Sequence, residues 1–244
     1  MAVTVTIYIA FIAGAYLWGS LNFAVLISKL KGRDIRKLGS GNPGTMNMRR
    51  QFGFKIAFLT MFLDALKGFL PCMVGWWLLG GGGRWGATDR FGFGTDRIGL
   101  YVGGVAAIVG HIFPVFYKFK GGKGVASSIG VGLAINPLLT LGFFIFGFIF
   151  MTVTHMGSVT SFIVITPPFI YALFQIRGDG LIAAQILLFA LFFLTMWAHR
   201  MNFVKLFAGT ESKTRVFKGK NEKFVGEKEK GIGSGKAQRM ESQG

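Results

Sequence analysis

Apolar runs that carry few or no charges alternate along this chain with short, basic, glycine-rich stretches. The first run covers residues 4–30, meets no charge before Lys29, and is long enough to cross a bilayer at a tilt. Further runs cover 54–79, 98–117, 125–136, 137–154, a sixth that ends at Gln175, and 181–198. Together they predict an all-α, polytopic integral membrane protein of about seven transmembrane helices. The run 125–136 is too short to cross alone. Its small residues, Ala126, Ser127, Ser128, Gly130 and Gly132, predict a half-length or steeply packed helix that neighbours approach closely. Pro167 and Pro168 predict a kink in the sixth helix.

The polar stretches assign the sides of the membrane. After the first run and into the start of the second, Lys31, Arg33, Arg36, Lys37, Arg49, Arg50 and Lys55 face Asp34 alone. An excess of cations marks a cytoplasmic loop, so the N-terminus is expected outside. The basic stretch 118–124, a short turn at 155–161 and the chain from His199 onward fall on the cytoplasmic side, together with the C-terminus. The glycine-rich stretch 80–97, where three arginines are nearly offset by two aspartates, and the turn at 177–180 fall outside. No basic n-region or cleavage site precedes the first run, which is expected to be retained as a helix. The membrane domain then spans 1–212. Residues 213–244, rich in Lys, Glu, Gly and Ser, are expected to form a disordered cytoplasmic tail.

Composition agrees and removes other classes. The chain of 244 residues is 52% hydrophobic, with a mean hydropathy of +0.52. A net charge of +17 would suit nucleic acid, but the cations sit in loops beside spans and in the tail, where topology accounts for them; no nucleic-acid partner is expected. The single cysteine, Cys72, lies in an apolar run, so it is read as a small buried hydrophobe and no disulfide forms within the chain. His111, His155 and His199 are far apart in sequence and have no acidic cluster beside them, so no metal is expected. Gly39-Ser-Gly-Asn-Pro-Gly44 satisfies G-x-G-x-x-G, but it follows a membrane exit rather than a strand, which excludes the dinucleotide reading. A Walker loop is excluded because Lys123 is followed by Gly124 instead of Ser or Thr.

Three polar clusters remain on one predicted face, 34–50, 118–124 and 199–211, with a minor fourth at 158–161. Glycines allow backbone N–H groups to converge, and arginine or lysine beside them makes that point attractive to phosphate oxygens. Inside the second run, Asp64 and Lys67 are three residues apart on one helical face, the spacing of a structural ion pair. A transporter of organic phosphates could use the same cations. It would also be expected to show repeated halves and a charged intramembrane path, whereas no repeat is apparent and only Asp64 and Lys67 are charged away from the ends of the spans. A non-catalytic anchor would not need Ser, Asn, His and Gly at three separate membrane exits.

The arrangement resembles a known family. Gly39-Ser-Gly-Asn-Pro-Gly44 with Asn47 and Arg50 carries the resemblance, as do Asp64 with Lys67-Gly68, and Gly110-His-Ile-Phe-Pro-Val-Phe-Tyr-Lys-Phe-Lys-Gly-Gly-Lys-Gly-Val-Ala126. So does His199-Arg200 with Asn202, Gly209 and Glu211. These are similar to the signatures of the bacterial acyl-phosphate:glycerol-3-phosphate acyltransferases, the PlsY family, over roughly residues 14–212. Met46, Met156 and Ala198 depart from the family pattern, which has a hydroxyl, a tyrosine and an arginine there.

The resemblance implies an enzyme of the bacterial inner membrane, its site facing the cytoplasm, with no metal or nucleotide cofactor. A fatty acyl group would pass from acyl phosphate to the 1-hydroxyl of glycerol 3-phosphate, giving lysophosphatidic acid and phosphate, the first step of phospholipid synthesis. Functional coupling to the enzyme that makes acyl phosphate is implied, as is contact with membrane lipid. Ser40, Arg50, Lys123, His199 and Asn202 are the implied catalytic residues. Gly39, Gly41, Asn42, Asn47, Lys120, Gly121, Gly122, Ser158, Ser161 and Glu211 would bind substrate, with His111, Asp64 and Lys67 in support. Among these, Arg50, Lys120 and Lys123 are expected on phosphate, while Ser40, Asn42 and Asn47 orient the substrates. The general base is open between a side chain and a substrate phosphate.

Overall fold

The computed structural model describes residues 2–79, 98–175 and 181–210, and every regular element among them is helical. The elements are α1 (Ala2–Gly19), α2 (Phe23–Leu30), α3 (Thr45–Phe52), α4 (Phe54–Leu79), α5 (Ile98–Ile112), α6 (Val125–Ile135), α7 (Pro137–Thr154), α8 (Gly157–Gln175), α9 (Leu181–Ala198) and α10 (Arg200–Phe207). Four helical stretches are long and apolar enough to cross a membrane alone: Phe54–Leu79, Ile98–Tyr117, Pro137–Thr154 and Gly157–Phe174. Two bent pairs bring the number to as many as six. With α6 at 11 residues, the half-length element read from the sequence is present.

Several local expectations change. The first run is broken: α1 and α2 meet at a bend of 42°. Polar side chains at the junction add hydrogen bonds to the backbone on either side of the break. The Asn22 side chain accepts from the Val25 N–H and starts α2, while the Ser20 hydroxyl donates to the Tyr16 carbonyl at 2.8 Å. The seventh run likewise turns by 51° into α10. Only His155 and Met156 separate α7 from α8, so Ser158 and Ser161 lie in the opening turns of a helix and not in a turn of their own. Pro167 and Pro168, the expected kink site, lie inside the single helix α8. The polar stretch after α2, expected to be loop throughout, also contains a helix, α3. The expectations for 80–97, 177–180, Glu211 and the tail lie outside the described residues.

Helices have no hydrophobic drive toward one another in lipid, so close approach of small residues sets the packing. A Cβ at Gly68 would overlap the Ser127 carbonyl, and one at Gly130 would overlap that of Ala65. These two glycines seat α6 directly on α4. α5 packs on the same side of α4 through Gly75 and Gly99, whose backbones touch. Ile108, Val131, Ile165, Phe169 and Leu188 fill a core among α5, α6, α8 and α9. α7 lies at the margin, with Leu138 and Val153 on its exposed face.

Asp64 and Lys67 are both buried and lie 3.0 Å apart. Lys67 also donates to the Leu21 carbonyl at 2.7 Å, so the ammonium reaches from α4 to the break between α1 and α2. The ring nitrogen Nδ1 of His111, on α5, stands 3.9 Å from Asp64 Oδ1. Charged groups this deep need such partners, because water is not there to solvate them.

Candidate active site

The site begins with a loop that the chain bends back on itself. Gly39 and Gly41 have positive φ (55° and 70°), which brings the segment 35–41 over α3. Asn47, buried on α3, braces it: its Nδ2 donates to the carbonyls of Leu38 (2.9 Å) and Ile35 (3.4 Å). Its Oδ1 accepts the Ser40 N–H at 3.3 Å. The amide is thus occupied by backbone, and Asn47 shapes the loop that presents Ser40. One turn further along α3, Arg50 donates from Nη2 to the Ser40 hydroxyl at 3.4 Å. Burial draws the Arg50 guanidinium below its ordinary pKa, and it draws Arg49 down too, with the Arg50 charge adding to the effect. Both remain cations at any physiological pH.

The opposite wall comes from three helices. Lys123, just before α6, donates from Nζ to Asn202 Oδ1 on α10. Asn202 in turn donates from Nδ2 to the Ser158 hydroxyl on α8 at 2.6 Å. His199, at the corner between α9 and α10, sits 2.8 Å by Nδ1 from the Thr195 carbonyl. A carbonyl only accepts, so Nδ1 carries the proton and Nε2 keeps the lone pair. Phe162 meets the ring edge-on at 5.4 Å. The Ser161 hydroxyl donates to the Gly157 carbonyl at 2.9 Å.

One cavity of about 620 Å³ joins these walls. Its polar end is lined by Ser40, Asn42, Asn47, Arg50, Lys123, Ser158, Ser161, His199 and Asn202, with Asp64 and His111 also on the wall. Away from that end the lining turns apolar, with Phe54, Phe58 and Met61 of α4, Phe144, Phe148 and Met151 of α7, and Val164 of α8. An anionic head with a long apolar tail fits this division of surface.

Most residues singled out from the sequence therefore meet here, and some do not. Lys120, Gly121 and Gly41 line a different basin. Gly122 packs on His111: its N–H donates to the His111 carbonyl at 3.2 Å, and a Cβ there would strike the imidazole. Lys67 points instead to Leu21. Arg49, Lys205 and the aromatic wall, to which the sequence assigns no role, also line the cavity, as does Met46, one of the departures from the family pattern. For Lys205 a signal existed, since it lies three residues beyond Asn202 on one short helix.

Gly39 offers a test of the loop. A Cβ at this position would lie 2.5 Å from Asn47 Oδ1 and 2.7 Å from Gln51 Nε2, in a left-handed backbone. Gly39→Ala is expected to displace the brace and with it Ser40, lowering turnover by on the order of 10–100-fold while the helical circular dichroism signal is kept. Unchanged turnover would show that the placement of Ser40 is not needed.

Fold and cavity define a helical integral membrane protein with a cationic pocket at the mouth of an apolar slot. The family model of glycerol-3-phosphate acyltransferases matches residues 9–209. Glycerol-3-phosphate acyltransferases of Paraburkholderia phytofirmans and Ralstonia pickettii are 40% and 38% identical over 202 and 209 residues. These alignments cover 82% and 84% of this chain, and 87% and 93% of those proteins. The protein of that name from Mycoplasmopsis pulmonis is 32% identical over 220 residues, 86% of this chain and 94% of its own. Crystal structures of PlsY, an integral membrane glycerol 3-phosphate acyltransferase, superpose with TM-scores of 0.69 (glycerol 3-phosphate form) and 0.68 (lysophosphatidic acid form). Each is 32% identical and covers 84% of this chain and 94% of the other. The chain belongs to the glycerol-3-phosphate acyltransferase family, and it is an integral membrane acyltransferase of the PlsY type.

Proposed function

We propose that this protein moves a fatty acyl group from acyl phosphate to the 1-hydroxyl of glycerol 3-phosphate at the cytoplasmic face of a bacterial inner membrane. The observation that carries the reading is the single cavity joining Arg50, Lys123 and His199 to the aromatic slot of Phe58, Phe144 and Phe148. The acyl chain would lie in the slot, entering sideways from the bilayer between α4 and α7. Its carbonyl and phosphate would stand at the polar end beside the acceptor.

In the reaction the acceptor oxygen bonds to the carbonyl carbon and the bond from that carbon to the phosphate oxygen breaks. The hydroxyl proton leaves with the phosphate or passes to the free Nε2 of His199. Phosphate is a good leaving group and the donor is already activated, so no cofactor is required. What the site must supply is placement of two anions side by side, and Arg50 and Lys123 on opposite walls are suited to that. Residues 1–212 would form the catalytic domain, with the N-terminus outside and 213–244 as a cytoplasmic tail. Acyl phosphate would arrive from the enzyme that makes it, a functional coupling across the membrane surface.

The test is phosphate release by the purified protein in lipid, given palmitoyl phosphate with and without glycerol 3-phosphate. Release that depends on the acceptor, with lysophosphatidic acid formed in equal amount, is the expected result. Folded protein that releases no phosphate under these conditions would overturn the assignment of donor and acceptor.

A further inference from the structure

A second basin of about 630 Å³ lies behind the first loop. Four cations line it: Lys29 at the end of α2, Arg36, Lys118 and Lys120. No carboxylate is among its described lining residues. Ser40 and Asn42 line both cavities, so the segment between them is a shared wall. Arg50 approaches the Ser40 hydroxyl from the side of the first cavity.

Two features show that the basin is built. Lys118 and Phe119 both have left-handed backbones (φ 55° and 58°), each a costly state for a residue with a side chain. Hydrogen bonds hold the turn: Phe119 N–H donates to the Pro114 carbonyl at 3.0 Å and Gly121 N–H to that of Ile112 at 3.1 Å. The turn sends Lys118 and Lys120 into this basin while Lys123 goes to the first. Arg36, in turn, is held by Asp34 at 2.6 Å and lies 5.6 Å over the Tyr117 ring.

We infer that this basin is a second anion site, a vestibule that exchanges small phosphate dianions with the first cavity across the Ser40–Asn42 segment. The inference rests on the proposed reaction, in which a phosphate monoester enters and inorganic phosphate leaves. Either dianion would be drawn by the same field and handed over at Ser40 to Arg50.

The sources are told apart by kinetics of a Lys29→Gln/Lys118→Gln double variant. Lys31→Gln/Lys55→Gln, an equal loss of charge outside both cavities, serves as control. At low salt the expected result is a fall of about five- to tenfold in kcat/KM for glycerol 3-phosphate, a flatter salt dependence, and turnover restored by saturating acceptor. Such a fall identifies the acceptor's route; weaker product inhibition by inorganic phosphate identifies the exit. Calorimetric titration of Arg50→Ala protein with inorganic phosphate reads the basin without turnover, and its binding heat should vanish when the double substitution is added. Lost heat in a protein that proves inactive toward acyl phosphate would uphold the basin and reject the reaction. Unaltered kinetics in both arms, or phosphate heat indifferent to the substitutions, would overturn the vestibule.

Discussion

Arg50→Ala lowers kcat/KM for acyl transfer by on the order of 10³-fold while leaving the protein folded and membrane-inserted. Arg50 donates to the loop hydroxyl of Ser40 and is half-buried at the polar end of the cavity. Among the described residues no carboxylate forms an ion pair with it, so its charge is available to a ligand. Partial burial strengthens each hydrogen bond it makes to a phosphate, because less water competes. Arg50→Lys keeps the charge but loses the planar fork, and an intermediate loss of roughly 10–100-fold is expected. Steady-state assays in lipid, with acceptor and donor varied separately, check both variants. If Arg50→Ala raised KM alone, the guanidinium would bind the ground state and transition state equally.

Lys67→Met unfolds the protein more readily than any cavity-wall substitution, with an expected cost of about 3–5 kcal/mol. The ammonium is fully buried, pairs with Asp64 at 3.0 Å and donates to the Leu21 carbonyl at 2.7 Å. Methionine fills the space and satisfies neither partner. The Asp64 carboxylate would then be left without its counter-ion at depth, and the broken end of α1 would lose its tie to α4. Asp64→Asn/Lys67→Met removes both charges and is expected to recover much of the loss, so the pair is strongly coupled in a double-mutant cycle. Thermal unfolding in detergent or lipid gives the comparison. Full stability of Lys67→Met, with activity lost, would move the pair from the scaffold to the chemistry.

How much of this was legible in the chain follows from what its pattern reports. Long apolar runs with few charges gave the helices, since backbone groups in lipid must be satisfied within a segment. The breaks were harder to see. Asn22 is a good N-cap residue, but one amide inside a long apolar run does not by itself announce a new helix. Helices α3 and α10 have only eight residues each, too few for a helical period to stand out in the sequence.

The site shows the same division. The residue types at its polar end were readable because glycine, serine, asparagine, arginine and lysine clustered beside membrane exits are few and chemically specific. Their assortment was not. Lys120 and Lys123 are three residues apart and look equivalent in sequence, yet left-handed Lys118 and Phe119 direct them to different cavities. On α7, Phe144 and Phe148 line the slot while Phe146 is exposed toward lipid. Lipid and slot are equally apolar, so hydrophobicity carries no sign of which face is which.

By itself, then, the sequence determined that the chain crosses a membrane as helices, that Asp64 and Lys67 share a face, and which residues could hold phosphate. These follow from local rules of backbone satisfaction, charge burial and side-chain chemistry. Only the tertiary structure decided that Asn47 spends its amide on the loop, that Lys123, Asn202 and Ser158 join three helices, and that two cavities share one wall. Those are relations between segments far apart in the chain, set by how closely glycine-faced helices approach one another.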